Sequence, residues 1–551
     1  MLHLPSVWPY ARPVALALLS AALTAAVARP ALAQQASPAP PAWDPSPGDG
    51  TYRNPVLHSD FSDPDAVRVG DDYYLTSSSF NCVPGLPILH STDLVHWRLV
   101  NHALPKLYDP MFDRPQHGNG VWAPSIRFHD GWYYIYWGDP DLGIYMTRTR
   151  DPRGAWEEPR LVKKASGNID PCPLWDDDGR VYMVQAFAHS RAGINGILSV
   201  VELSADGTKA IDKGWVVFDG HREHPTVEGP KFYKRNGYYY IFAPAGGVAE
   251  GWQLVLRSRN VRGPYETRTV LAQGDTSVNG PHQGAWVDTP DGRSWFLHFQ
   301  EVQPYGRLVH LEPMRWVDDW PVIGEDPDGD GVGQPVATHP LPFADSASTV
   351  VPQTSDRFDS DSLGLQWQWQ GAPRDDWWSL SERPGWLRLA AAARPDGFRN
   401  LWDAASPLLQ KMPAPRFQAT CRLDASALTP GDHCGLIVMG RDYASIDIGA
   451  SDDGLTVSQR TCRADRGERE RESESATLPG GQVELRLQVE DGGVCRFSYR
   501  TPGAEWSDLG GPFSAREGKW IGAKFGLYCL APNGEPSGGT VDVAEVIVRP
   551  L

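Results

Sequence analysis

Asp60-Phe61-Ser62-Asp63-Pro64-Asp65-Ala66-Val67-Arg68-Val69-Gly70-Asp71-Asp72-Tyr73-Tyr74-Leu75-Thr76 carries the pattern on which the architecture turns. A proline is followed by a short alternating run, a Gly-centred turn, and an aromatic pair opening a second run. That is the signature of two strands joined by a tight hairpin. The pattern returns at Ala123-Pro124 with Gly131 to Tyr134, and at Asp170-Pro171 with Gly179 to Tyr182. It returns again at Gly229-Pro230 with Gly237 to Tyr240, and at Gly280-Pro281 with Gly292 to Phe296. Successive prolines stand 60, 47, 59 and 51 residues apart. Helical periodicity is nearly absent. A period near fifty residues, with room for about four short strands, predicts a β-propeller, and five units predict five blades.

Outside the repeat the composition changes. Residues 338–355 are rich in Pro, Ser and Thr and read as a linker. Residues 356–551 show alternating strands such as Gly435–Met439 and Val483–Val489, which predict a β-sandwich of the concanavalin-like, jelly-roll kind. Ahead of the propeller (51–337), residues 34–50 read as a flexible leader. Residues 1–33 read as an export signal: Arg12, an apolar run from Val14 to Val27, and the small-x-small site Ala31-Leu32-Ala33. The expected class is all-β, in two domains, exported to the periplasm or the exterior, with no membrane attachment once the signal is removed. A net charge of −17 argues against nucleic acid and anionic membranes as partners. Seven cysteines with no metal-ligand spacing leave at least one thiol unpaired, and any bridge is expected beyond residue 420, where five of them lie. The 22 Trp and 19 Tyr suit either sugar stacking or β-rich cores.

The first strand of each propeller blade runs nearest the axis, so equivalent strand ends meet around one opening. The repeat places acids there in three blades: Asp63 before Pro64, Asp170 before Pro171, and Glu228 before Gly229-Pro230. One Asp-Pro step is an ordinary turn. Three acids in register form a carboxylate cluster, which serves either a metal or acid/base chemistry. Glycoside hydrolysis requires such a set, one acid to protonate the leaving oxygen and one carboxylate across the sugar.

These segments, extended through Ser77-Ser78-Ser79-Phe80, together with Asn168-Ile169-Asp170-Pro171, Asp176-Asp177-Asp178-Gly179 and Glu228-Gly229-Pro230-Lys231-Phe232-Tyr233, resemble glycoside hydrolase family 43. Arg357-Phe358-Asp359 through Gln366-Trp367-Gln368-Trp369 and Trp378-Ser379-Leu380 resemble the C-terminal sandwich attached to many β-xylosidases of that family. The resemblance implies an exo-acting, inverting hydrolase. It would release β-D-xylose or α-L-arabinofuranose from hemicellulose oligosaccharides of the plant cell wall. It implies Asp63 as general base, Glu228 as general acid, and Asp170 as the residue that orients them and tunes the acid. Ser62-Asp63-Pro64-Asp65 departs from the family's usual Pro-Asp-Pro-Ser but keeps the base. Phe80 and Trp122 match positions that pack against the terminal sugar, and Arg307 matches a clamp on its hydroxyls. His282 matches a residue that faces a central cation, often calcium, through waters. No cofactor is implied for the chemistry itself.

Two motifs mislead. Arg150-Asp151-Pro152 matches a signature of related fructan hydrolases, but falls at the end of blade two, where it is expected on an outer strand or loop. Asp326-x-Asp328-x-Asp330-Gly331 matches the start of an EF-hand loop, but its twelfth position is Ala337, not Glu. Two other functions fit the same segments: an endo-arabinanase of this fold, and a sugar-binding propeller without catalysis. The intact acid trio argues against the second, and the attached sandwich favours exo action.

Overall fold

A computed structural model describes residues 40–344 and 348–551. The expected export signal and the beginning of the leader lie outside the described residues. From Asp65 to Ile323 the chain forms five four-stranded antiparallel sheets, each from four consecutive strands. Blade I comprises Asp65–Val69, Asp72–Thr76, Gly85–Ser91 and Arg98–Leu104. Blades II to V begin with Trp122–His129, Asn168–Trp175, Lys231–Arg235 and His282–Asp288. The first strands of neighbouring blades touch, so they line the centre of a ring.

Local chemistry sets the hairpins. Asp130-Gly131 and Asn236-Gly237 join the first two strands of blades II and IV, and all four residues have positive φ. This is the type I′ turn, whose twist matches that of the flanking strands. Side chains alternate across each blade, and apolar faces of adjacent blades meet. Tyr73, Leu75, Trp97, Leu297 and Leu311 are packed where blade V meets blade I. Aromatic rings take part in this packing; Trp97 and Trp137 are fully buried.

The ring closes through the chain's beginning. Thr51–Arg53 pairs with Thr338–Pro340, and Leu57 bridges Val309 on the third strand of blade V. The Tyr52 hydroxyl donates to Leu311 O at 2.8 Å. The Asn54 side chain donates to Leu311 O and Val336 O and accepts from Leu311 N. The stretch read as a linker therefore starts with a pairing strand, because the propeller needs it to hold its own N-terminus. The leader is likewise anchored near its end. Trp43 donates to Pro55 O and lies under the Arg53 guanidinium, so a large apolar ring inside a Pro-rich stretch pins it.

Residues beyond 355 form two antiparallel sheets, of seven and eight strands, around one large apolar core, with a smaller buried cluster that includes Leu401, Ile437 and Tyr443. The seven cysteines are all buried, free thiols. Cys434 and Cys529, beyond residue 420, are register partners on adjacent strands and stand as separate thiols. The sandwich is fastened to the propeller. Val83 bridges Trp369, Gln368 donates to Pro84 O, and Asn81 donates to Gln370 O. His117 stacks on Trp402 at 3.6 Å, and Tyr305 donates to Pro415 O. These contacts adjoin Asp63, Phe80, Trp122 and Arg307 in sequence, so the sandwich sits at the end of the ring where those residues lie. No helix among the described residues is long and apolar enough to cross a membrane.

Candidate active site

Each inner strand starts with one residue of positive φ: Asp63 (53°), Ala123 (34°), Asp170 (56°), Gly229 (59°) and Gln283 (43°). Non-glycine residues rarely enter this region, and such strain gathers at functional sites. The strand register skips at this point in blades II, III and V, which marks a bulge. Proline follows in four blades and tolerates the lost ladder bond because it has no N–H. In blade V the follower is Gly284, where a Cβ would lie 1.6 Å from Leu297 O. Gln283, three residues past Gly280, is thus blade V's member of the repeat; the proline at 281 is a near neighbour that mimics the pattern.

The same register corrects the reading of three equivalent acids. Asp63 and Asp170 occupy the bulge itself. Glu228 stands one residue earlier, at the position of Ser62, Trp122, Ile169 and His282. All three acids nevertheless reach one pocket of about 250 Å³, which Phe80, Trp122 and Arg307 also line.

Two donors hold Asp63. Arg307 Nη1 donates to Oδ1 at 2.6 Å and Ser78 Oγ donates to Oδ2 at 2.6 Å, which fixes the plane of the carboxylate. The Arg307 guanidinium lies over Phe299 at 4.8 Å and is itself buried. Asp170 Oδ2 accepts from Gly229 N at 2.8 Å, tying it to the backbone next to Glu228. Burial raises Asp170 above the ordinary carboxyl range; the Gly229 N–H opposes that rise and Asp63 adds to it. Burial also raises Glu228 well above its usual value, and the neighbouring Asp170 charge raises it further. Two acids beside one another cannot both ionise easily, so the proton at neutral pH stays in this pair. About a third of the Glu228 side chain (34 %) faces open space, against 7 % of the Asp63 side chain, and Asp170 is buried, so Glu228 is the carboxyl most open to a ligand.

His282 does not line the pocket. It is buried, with Nε2 3.6 Å from Glu228 Oε1, and burial together with Arg307 holds it neutral. Calcium takes about six to eight oxygens. Here one carboxylate oxygen faces the imidazole, and Arg307 and His298 lie near it. On the inner strands Lys231 Nζ donates to Pro124 O and Arg127 pairs with Asp65. Neither ring nitrogen of His282 has a hydrogen-bond partner, so a cation beside it would be held largely through waters. Arg150-Asp151-Pro152 lies in a turn between the third and fourth strands of blade II. Asp326, Asp328 and Asp330 form a surface turn, with Asp326 paired to Arg315.

Several residues in or behind the pocket were not anticipated. Ser78 belongs to a quoted segment, but nothing in a serine triplet says which hydroxyl meets Asp63. Gln283 was hidden by the misplaced blade V register. Ala188 to Asn195, just past the second strand of blade III, contributes His189, Ser190 and Asn195. Trp520 comes from the sandwich, adopts positive φ (65°), and meets Trp122 edge-on at 6.4 Å. Only the docked domains reveal it, because it belongs to no repeat.

Residues 52–321 match the profile of "Glycosyl hydrolases family 43", and residues 355–549 that of "Beta xylosidase C-terminal Concanavalin A-like domain". A putative beta-xylosidase of Xylanibacter ruminicola is 40% identical over 88% of this chain and 86% of its own. A non-reducing end alpha-L-arabinofuranosidase of Bacteroides ovatus is 32% identical over 72% and 75%. The solved Bacteroides ovatus "Xyloglucan PUL GH43B" superposes with a TM-score of 0.79 at 27% identity, over 91% of this chain and all of that one. The blades, the sandwich and these matches agree, and the chain belongs to glycosyl hydrolase family 43.

Proposed function

We propose that the protein is an exo-acting glycosidase that removes a terminal pentose, β-D-xylose or α-L-arabinofuranose, from hemicellulose oligosaccharides. The observation that carries the reading is one pocket holding three carboxyls and closed on one side by Trp520 from the sandwich. A pocket of about 250 Å³ suits a chain end, whereas an endo-acting enzyme needs an open groove. The names of the relatives above support the pentose.

Asp63, held by Arg307 and Ser78, takes the proton of an attacking water. Glu228, kept protonated by burial and by Asp170, gives its proton to the leaving oxygen. Asp170, fixed by the Gly229 N–H, raises and orients that acid. Phe80 and Trp122 supply apolar walls, and Arg307 donates both to the base and to the sugar. The chemistry needs no metal. Water activated by a carboxylate attacks in a single displacement, which inverts the anomeric centre.

The test is a panel of 4-nitrophenyl β-D-xylopyranoside, 4-nitrophenyl α-L-arabinofuranoside and xylo- and arabinoxylo-oligosaccharides, with proton NMR of the first product. One of the two pentosides is cleaved, release is from the chain end, and the first-formed sugar has inverted configuration. A retained product, or mid-chain cleavage, rejects the reading.

A further inference from the structure

Blade V carries a second buried cluster that the reaction does not use. His298 and His310 are direct register partners on its second and third strands, and Glu312 follows two residues later on the same face. All three are almost wholly buried, at 0 %, 2 % and 0 % exposure. One ligand atom from each can be chosen so that all lie within 4.8 Å of one another.

The hydrogen bonds around them do not balance. His298 Nδ1 lies 3.1 Å from Phe299 O, and its Nε2 lies 3.1 Å from Glu312 Oε1. Both neighbours can act as acceptors, and a neutral imidazole has one N–H. With that proton on Nδ1, the Nε2 lone pair points at a carboxylate oxygen. Glu312 is otherwise held by donors: Val336 N on Oε2 at 2.8 Å and the Asn54 amide on Oε1 at 3.4 Å. A proton on Glu312 would satisfy His298 and leave His310 untouched. His310 stacks on His298 at 5.3 Å, and neither of its ring nitrogens has a partner. Among the described residues, no lysine or arginine is paired with Glu312. His298 Nε2 and a Glu312 oxygen thus face each other in a buried space, beside a His310 imidazole that has no hydrogen-bond partner.

We infer that His298, His310 and Glu312 form a structural site for a divalent transition-metal ion of the zinc type. Two imidazole nitrogens and a carboxylate oxygen are a standard zinc set, with water as fourth ligand. The supporting contacts are those that metal-bound residues use: His298 Nδ1 on a backbone carbonyl and Glu312 Oε2 on a backbone N–H. The site is separate from the pocket and offers a substrate no way in, so its role is mechanical. Asn54 belongs to the segment that closes the ring and Val336 to the segment leaving blade V. A metal on Glu312 would therefore clamp the closure.

The test uses the full chain. The protein is equilibrated with ZnCl2, desalted, and assayed by elemental analysis and thermal unfolding with and without a chelator. Stoichiometric zinc is expected, with a Tm that falls on chelation. Glu312→Gln keeps the volume and hydrogen bonding but removes the charge, and His310→Gln removes an imidazole; both should lose the zinc and the chelator sensitivity. Asp328→Ala, in the surface acidic turn, should keep both. Cobalt in place of zinc should give the visible bands of a nitrogen/oxygen-ligated ion in the wild type, a readout that needs no variant. No zinc in the wild type, no cobalt bands, or zinc retained in both Glu312→Gln and His310→Gln would overturn the assignment.

Discussion

Glu228 and Asp63 differ in what surrounds them, and that difference is measurable. A nitrophenolate leaves almost without protonation, while a sugar alkoxide needs it. Glu228→Ala should therefore depress kcat/KM on oligosaccharides by roughly 10²-fold or more beyond its effect on an aryl pentoside. Asp63→Asn should depress both substrates alike, by roughly 10²–10⁴-fold, since water must attack in either case. Equal losses on both substrates in Glu228→Ala would withdraw its role as acid. Asp170 acts through charge. It lies beside Glu228 and raises it, so removing that charge lets Glu228 lose its proton at lower pH. The alkaline limb of the kcat/KM profile follows the acid of the free enzyme. In Asp170→Asn that limb should move toward lower pH, which a profile on an oligosaccharide would show. An unmoved limb would mean that Asp170 does not tune the acid.

At the scale of the strand, the recurring bulge is the device that turns an acid into the pocket. It depends on a follower that needs no ladder hydrogen bond or no side chain. Gly284→Ala places a methyl group against Leu297 O, a backbone atom that cannot swing aside. Its expected cost is about 3 kcal/mol or more, read as a lower denaturation midpoint, with misplacement of Gln283 and lost activity. Near-wild-type stability would show that the bulge is not rigid. The repeat of proline, hairpin and aromatic pair made the five blades and the acid trio legible in the sequence, because proline and glycine constrain the backbone locally. What local rules do not reach stayed hidden. The register of blade V was obscured because Gly284 does proline's task there while Pro281 stands three residues before it. The one-residue offset of Glu228 from its proline was written in Glu228-Gly229-Pro230, but not its meaning, because Gly229 rather than the acid takes the positive φ. The pairing of Thr338–Pro340 with Thr51–Arg53 is a contact across almost the whole propeller, which composition alone reads as linker.

On the scale of the whole molecule, the pocket is shared between two domains, and Trp520 tests how much the second contributes. Its side chain is 48 % exposed, so Trp520→Ala should fold normally. An aromatic wall lost from a sugar site, worth on the order of 1 kcal/mol, should lower kcat/KM on oligosaccharides several-fold, chiefly through KM. The same variant should be nearly silent on a small aryl pentoside if Trp520 meets the sugar beyond the scissile bond. An equal KM change on both would place its contact at the terminal sugar instead.

The ring's closure has a consequence in time. Synthesis runs from the N-terminus, so Thr51 to Leu57 emerges first, while Val309, Leu311 and Thr338–Pro340 emerge some 250 residues later. Blade I, with Asp63, must wait with one flank uncovered until blade V has been made. Any helper that shields nascent chains would meet this protein at that flank, and a chain stopped short of Thr338 would complete its five blades without the strand that pairs with Thr51–Arg53.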